Sequence, residues 1–491
     1  MRKAFLVLLF LSAGTALAQR DPNNPTWWDK YQFLAKGGAD AAAGPTISVA
    51  SPGGNVDVSN ECGPQSETFI AINTKSTKNL AAGSNEIFRD PMRGYSSFDE
   101  GKTWAGVDLP LPPPKGNGTD FGSDPGVAFD AAGNLFYSYI VVFFGNGNGN
   151  DVNGTEVAVA KSTDGGQTYP SVTFFSFEGG KNHFNDKPII TADVNASSPF
   201  KNNVYVAWDA ATGGSISGGL RFGRSTDHGA SFTVQRIDNP QGQGRLIAAD
   251  PFVGPNGEVY VAWNDAGANT ITLNRSFDGG ATFGTPITVA HKTAVFDVGI
   301  PAESFRRALV YPACDADRSN GPHRGRLYCS WMDLRSDGTT DIFLSSSDDH
   351  GSTWSSPKSV GDTLAFKVDR FNQWLSVDAT TGEVTVSFYD TRNDTTGSRF
   401  MTDTYLARSS NGGATFTNTR VSTESSNEHD CNGIFPCVGI NYGNQQGDYE
   451  GLVTYSGIAH PIWTDSRNQL DPATGCRTNL LMEEVYTASV K

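Results

Sequence analysis

The sequence lacks the features that mark membrane-spanning, nucleic-acid-binding and zinc proteins. Its first apolar run, Ala4–Leu11, falls well short of the roughly 20 residues that span a bilayer, and no later stretch reaches that length. Positive charge is scarce: 37 Lys and Arg stand against 52 Asp and Glu, for a net charge of −15. That balance argues against nucleic acid and anionic membranes as partners. The seven His are scattered without paired spacing, so no metal site of the zinc kind is expected. Patterns with a 3.6-residue period are rare, which argues against a helical fold.

What is present starts with a basic Met1-Arg2-Lys3, the short apolar run, and Ala16-Leu17-Ala18 before Gln19. This is the pattern of a secretory signal peptide ending near residue 18. No Cys follows it, so no lipid anchor is expected, and the protein is expected in the periplasm or the medium. Without Arg2 and Lys3 the chain carries 35 basic against 52 acidic residues, or −17. Gly is abundant at 55 of 491 residues, and short apolar and aromatic runs alternate with Gly, Asp and Asn. Together these read as an all-β chain with many turns.

One eight-residue pattern recurs six times: Ser, any, Asp or Asn, any, Gly, any, Thr or Ser, aromatic. The copies run from Ser97 to Trp104, Ser162 to Tyr169, Ser225 to Phe232, Ser276 to Phe283, Ser347 to Trp354 and Ser409 to Phe416. Their starts are 65, 63, 51, 71 and 62 residues apart. This is the Asp-box, or BNR repeat. Its acid or amide accepts bonds from turn backbone, and its Gly takes a conformation other residues avoid. It is a hairpin device. Six copies at a period near sixty, with several strands per unit, predict a β-propeller of four-stranded blades.

Fixing the boxes aligns the rest of each unit. Second strands are expected at Val204–Asp209, Val259–Asp265, Leu327–Arg335 and Val384–Arg392. Innermost strands are expected at Glu67–Asn73, Asp124–Asp130, Asp186–Asp193, Asp250–Asn256, Ala308–Asp315 and Gln373–Asp378. A seventh unit without a box follows at Tyr449–Tyr455, Ile458–Asp465 and Leu480–Ala488. Its fourth strand would come from the N-terminus, near Ile47–Ser51 or Val56–Ser59. Seven blades are therefore predicted, with six as the alternative. The propeller would cover residues 46–491, after an extension at 19–45. An even number of Cys in an exported chain points to disulfides. Ring closure favours Cys62–Cys476, and the repeat favours Cys314–Cys329 and Cys431–Cys437.

With these boxes the chain resembles the sialidase superfamily along most of its length beyond the signal peptide. The resemblance implies a Tyr nucleophile helped by a Glu, an acid/base Asp, and an Arg clamp on a substrate carboxylate. Tyr449, in Gly447-Asp448-Tyr449-Glu450, stands where the nucleophile would sit. Glu303 or Glu67 would take its proton. Asp90, beside Arg89, would be the acid/base. Arg335, Arg392 and Arg467 recur after the second strands of three blades and would form the clamp, with Arg306, Arg307 and Arg370 as further candidates. Where the family's first clamp Arg would lie, this chain reads Glu67-Thr68-Phe69-Ile70, an acid in place of a base.

Propeller geometry places Glu67, Asp124, Asp186, Asp250, Arg370, Asp448 and Tyr449 on the same face as the three Arg, opposite the boxes. That polar concavity is the expected ligand site. A plainer reading is open for several of these residues. Each Asp-x-Arg would fix its own loop as an ion pair, and Tyr449 would be a buried Tyr bonded to a neighbour. Gly145–Asp151 has the composition of a loose Ca²⁺ loop but matches no ligand spacing, so a plain loop is favoured, with structural Ca²⁺ as the alternative and no cofactor required. The expected partner is a carbohydrate or glycoconjugate, bound by a monomer. A sialidase-like hydrolase acting on an acidic sugar leads. A non-catalytic glycan- or protein-binding propeller and a polysaccharide lyase are the alternatives.

Overall fold

The computed structural model describes residues 49–50, 54–61, 63–87, 89–114, 120–144, 152–179, 185–210, 219–238, 246–303, 307–429, 446–468 and 483–491. The signal peptide, Gly145–Asp151, Arg306, Cys62, Cys431, Cys437 and Cys476 lie outside them. Within them the chain forms seven antiparallel blades arranged as a ring, one further two-stranded sheet, and no helix. The seven-bladed alternative holds and the six-bladed one falls.

Each blade runs outward from an inner strand. The inner strands are Gln65–Ile72, Phe121–Phe129, Asp186–Ala192, Leu246–Val253, Pro312–Ala316, Arg370–Val377 and Gly451–Tyr455. Blade 7 adds Ile458–Asp465 and Glu484–Thr487, and its fourth strand is Val56–Asp57 from the other end of the chain. Val56 pairs with Thr487 and Asp57 with Tyr486, so the ring is closed by backbone pairing of the two chain ends. Such closure ties the first and last segments of the ring together, while each blade keeps a short outer edge.

The second strands repeat one core device. Trp208, Trp263, Trp331 and Trp463 occupy matching places near their ends and are fully buried, as are Tyr205, Tyr260 and Tyr328. These large side chains fill the wedge between neighbouring sheets. Cys314 and Cys329, directly opposite in the blade 5 ladder, form the expected disulfide.

The boxes join strands three and four, as expected. In blade 1, Asp99 Oδ1 accepts the Thr103 N–H at 2.9 Å and Asp99 Oδ2 accepts its hydroxyl at 2.7 Å. Ser97 Oγ accepts the Gly101 N–H at 2.9 Å, and Gly101 has φ of 82°. Trp104 turns inward and donates its indole N–H to Gly101 O at 3.0 Å. Asp164, Asp227, Asp278, Asp349 and Asn411 accept the same turn N–H from Thr168, Ser231, Thr282, Thr353 and Thr415.

Several inner strands start earlier than the sequence indicated, by up to four residues in blade 4. The reason is a β-bulge. The ladder slips between Ser66 and Phe69, Ser123 and Gly126, Asp186 and Ile189, Ile247 and Asp250, and Phe371 and Trp374. Pairing resumes beyond each slip, so the strand extends past the irregular residues. Blade 5 departs in the other direction: its inner strand starts at Pro312, and Ala308–Leu309 pairs instead with Asp297–Val298.

Candidate functional site at the loop face of the axis

The bulges aim side chains at the axis. Each carries one non-Gly residue with positive φ: Glu67 (54°), Asp124 (62°), Lys187 (52°), Ala248 (63°) and Asn372 (46°). Such residues cost about 1–3 kcal/mol each, and they persist where surrounding contacts hold them. Bulges of this kind re-aim side chains next to functional sites. Gly447 holds the matching position in blade 7 with φ of 81°. A Cβ there would lie 2.5 Å from Glu67 Cγ, so only Gly fits.

At the centre stands Lys187, which sequence reasoning passed over. Its ammonium lies 2.8 Å from Asp448 Oδ2 and 3.2 Å from Glu67 Oε1. The rings of Tyr449 and Tyr311 flank it, with centroids at 5.2 and 5.6 Å. Tyr311 donates its hydroxyl to Asp448 at 3.2 Å, and Asn85 donates to Glu67 Oε2 at 2.6 Å. Asn85 Oδ1 accepts the Asp124 N–H at 2.7 Å, and Asp124 Oδ2 accepts the Lys187 N–H at 3.1 Å. Glu67, Asp124, Lys187 and Asp448 are all at most 5% exposed. A signal for Lys187 was available: it aligns with Glu67 and Asp124 at the bulge.

Charge inside this cluster is set by neighbours. Burial alone would discharge Lys187, but Asp448 and Glu67 outweigh it and hold the ammonium protonated. Asp124 and Asp186 hydrogen-bond to each other and titrate as a pair. Burial works against ionising Asp124, but Lys187 and the Asp186 bond prevail and hold it low. Burial, with Asp124 and Asp209 close by, drives Asp186 well up. The two carboxyls thus share one proton, with Asp186 the half-buried member.

Tyr449 lies in this cluster, 2% exposed, and donates its hydroxyl to Pro125 O at 3.0 Å. Burial, then Glu67 and Asp124, push its ionisation well above the usual tyrosine range, against the pull of Lys187. Of its two expected partners, Glu67 is at hand. Glu303 is fully buried in the loop ahead of blade 5 and belongs to another group of acids. Its charge helps burial and Glu428 to raise Glu483.

The guanidinium groups are bonded to acids of their own or a neighbouring blade. Arg370, fully buried, bridges Asp341 and Asp390 at 2.8 Å each. Arg392 pairs with Asp390 at 2.7 Å and Asp362 at 2.6 Å, and stacks on Tyr405 at 4.1 Å. Arg467 takes both oxygens of Asp465, at 2.9 and 2.6 Å, and stacks on Tyr486 at 4.5 Å. Arg335 pairs with Asp341, and its side chain is 34% exposed, the most open of the three. Arg89 reaches Asp108 at 2.5 Å and Glu61 at 3.7 Å, while Asp90 stays half-buried where blades 1 and 2 meet, its carbonyl accepting the Gly122 N–H. Arg307 pairs with Asp297 at 3.1 Å. Asp250 lies deeper on the axis, accepting the Cys314 N–H at 2.6 Å. The loop-fixing reading of the Asp-x-Arg pattern therefore describes Arg392 and Arg467. In blade 5 Asp333 instead accepts the N–H groups of Thr293 and Ala294.

No family model matches this sequence, and no curated protein is recognisably similar to it. Solved structures do show similarity of shape. A Hadza microbial sialidase is 16% identical, with a TM-score of 0.45 over 66% of this chain and 63% of that one. An intramolecular trans-sialidase from Ruminococcus gnavus is 10% identical, with a TM-score of 0.44 over 88% of this chain and 95% of that one. A polysaccharide lyase of the ulvan lyase family PL25 is 9% identical, with a TM-score of 0.44 over 82% and 92%.

Proposed function

We propose that this chain is a carbohydrate-active propeller that recognises a glycan or glycoconjugate on its loop face and does not cleave it through Tyr449. The observation that carries this reading is the bonding of Tyr449. A tyrosine nucleophile needs a base that takes its proton and a path to the sugar. Here the hydroxyl is committed to a backbone carbonyl, beside carboxylates that oppose its ionisation. The Arg trio agrees, since a carboxylate clamp needs guanidinium edges that point outward.

Two-carboxylate hydrolysis fares no better at the axis. It needs acids held about 5–9.5 Å apart, with the sugar between them. Asp124 and Asp186 are bonded to each other instead. Support for a sugar ligand comes from the rim of blades 5 and 6. Phe366 is 58% exposed, and Phe400 stacks on His429 at 4.1 Å. Arg335 and Asp186 add hydrogen-bonding groups within the same face. Flat apolar rings and polar groups on one face suit the C–H faces and hydroxyls of a pyranose. The same proposal puts the protein outside the cytoplasm, on the strength of residues 1–18, and takes it as a monomer that requires no metal.

An activity and binding panel on the native chain and on Tyr449→Phe tests this. It combines an aryl sialoside, related acidic aryl glycosides, a uronate polymer followed by ultraviolet absorbance, and a glycan array. The expected outcome is glycan binding by both proteins with turnover by neither. Reporter release that Tyr449→Phe abolishes would restore the hydrolase. Gained absorbance would establish a lyase, and an array without any bound glycan would end the carbohydrate reading.

A further inference from the structure

The axis has a second end, on the box face. Below the Lys187 cluster, aromatic rings close the channel. Phe69 meets Trp374 edge-on at 5.0 Å between centroids and Tyr449 at 6.4 Å. From this floor a cavity of about 180 Å³ runs toward the strand-one-to-two turns, and all seven inner strands line it. Its walls mix apolar side chains, among them Ile70, Val127, Phe252 and Leu375, with polar ones such as Ser376 and Thr454. Exposure rises toward the turns, at Thr74, Val194, Arg318 and Ala379, which marks the mouth. Asp250 and Trp374 stand at the other end. Both also line the small void that separates the cavity from Lys187.

Asp250 is 5% exposed. One oxygen accepts the Cys314 N–H, and among the described residues no side chain donates to the other. Every charged or titratable neighbour is engaged elsewhere. Arg318 is held by Asp315 at 3.1 Å and by Val253 O at 3.2 Å. Across the void, Lys187 is turned to Glu67 and Asp448, Tyr311 to Asp448, and Tyr449 to Pro125. A buried carboxyl group thus lines the inner end of the throat beside an indole, with no cation paired to it among the described residues.

We propose that this cavity binds an alkylammonium group, a primary amine on an aliphatic chain that enters from the box face. The throat takes the carbon chain, Trp374 offers a π face to the ammonium, and Asp250 supplies the counter-charge. A hard metal ion would need six or more oxygens, and among the described residues no group of three or more acids, His or Cys gathers to supply them. An anion would have to compete with Asp315 for Arg318. The site is separate from the loop face, so its test does not depend on the glycan proposal.

Binding carries a proton signature. Burial, opposed by the Cys314 N–H and aided by Asp315, holds the empty Asp250 carboxyl well above its ordinary range and favours its protonated form. An incoming R–NH₃⁺ leaves an Asp250 carboxylate paired with the ammonium and releases one proton to solvent. Affinity should therefore rise about tenfold per pH unit until the empty carboxyl itself ionises.

Calorimetric titration of the full chain with butylamine and with 1-butanol, at about pH 6 and about pH 8 in buffers of different ionisation enthalpy, reads this directly. Butylamine should bind saturably, more tightly at the higher pH, with release of one proton. Butanol should bind at least about tenfold more weakly and without pH dependence. Asp250→Asn keeps an acceptor for Cys314 and should lose both the proton release and the preference for the amine. Trp374→Leu should weaken butylamine about tenfold and keep the proton release. Equal binding of amine and alcohol by the native chain, proton release that survives Asp250→Asn, or no binding of either compound would overturn the proposal. The comparison of ligands on the native chain does not depend on how any variant folds.

Discussion

The two faces of this propeller are held by different kinds of bond. On the box face the box acids close their own turns, and side chains such as Asn79 and Arg275 add bonds to the box turn of the next blade. Asp349 accepts from Ser347, Thr353 N–H and Thr353 hydroxyl, all within seven residues of chain. On the loop face the bonds run between blades. Lys187 of blade 3 reaches Glu67 of blade 1 and Asp448 of blade 7. Arg370 of blade 6 reaches Asp341 of blade 5, Asn372 donates to Gly447 O, and Tyr449 donates to Pro125 O across the axis. Local turns contribute separately, whereas a buried network stands or falls together.

The largest expected effect follows from that difference. Lys187→Met leaves Glu67 and Asp448 buried without their cation and should cost about 3–5 kcal/mol in urea unfolding. Neutralising the acids as well, in Lys187→Met/Glu67→Gln/Asp448→Asn, should return most of that loss. A cost for Lys187→Met no larger than that of a box mutation would erase the distinction between the faces.

Next comes pH, where the two faces titrate in opposite directions. The ring-closing seam buries Asp57, Glu61, Glu86 and Glu484, with Arg89, Arg93, Tyr95, Asp108 and Asp465 around them. Burial, against the Asn60 N–H bond and with Asp465 adding, raises Asp57 to about 7. Burial and Glu61 raise Glu86 to about 8. A carboxyl raised in the folded state contributes fully below its unfolded value and loses its contribution as pH climbs through the raised one. Box acids do the reverse: the Thr353 hydroxyl and N–H hold Asp349 down at about 2, so its contribution persists until pH falls through that value. The unfolding midpoint should therefore fall between about pH 5 and about pH 9, by the equivalent of about 2–4 kcal/mol. Glu86→Gln should flatten the slope, measured by heat unfolding across buffers. A midpoint that rises over this range would contradict the seam's assignment.

Smaller effects sharpen the contrast. Tyr449→Phe removes one hydrogen bond to Pro125 and should cost about 1 kcal/mol while leaving glycan binding unchanged. Asp349→Ala should cost less than about 1 kcal/mol, since its bonds are exposed to water. Asn411→Asp, which restores the acid found in the other five boxes, should change the unfolding midpoint by only a few tenths of a kcal/mol.

Much of the box face was legible from residues alone. Six copies of a local pattern imply six local turns, and each turn needs only its own residues. The closing strand was legible too, because a seventh unit with three strands needs a fourth, and Val56–Asp57 supplies it. The bulges were not legible, since a register slip is a property of two strands rather than one. The Arg clamp shows the same limit. Asp-x-Arg occurs in three blades, yet Arg392 and Arg467 pair with the Asp two residues before them while Arg335 turns to Asp341. Which acid wins depends on neighbours brought close by folding.

The sequence by itself determined the repeat and the approximate place of most strands, and it favoured seven blades and the disulfide in blade 5. Those follow from short-range patterns that each unit carries within itself. Only the tertiary structure decided that Lys187 fills the axis, that Tyr449 is bonded inward, and that the open cavity lies on the box side. Burial and pairing at the centre of a ring arise when seven distant segments meet, and no local pattern encodes that meeting.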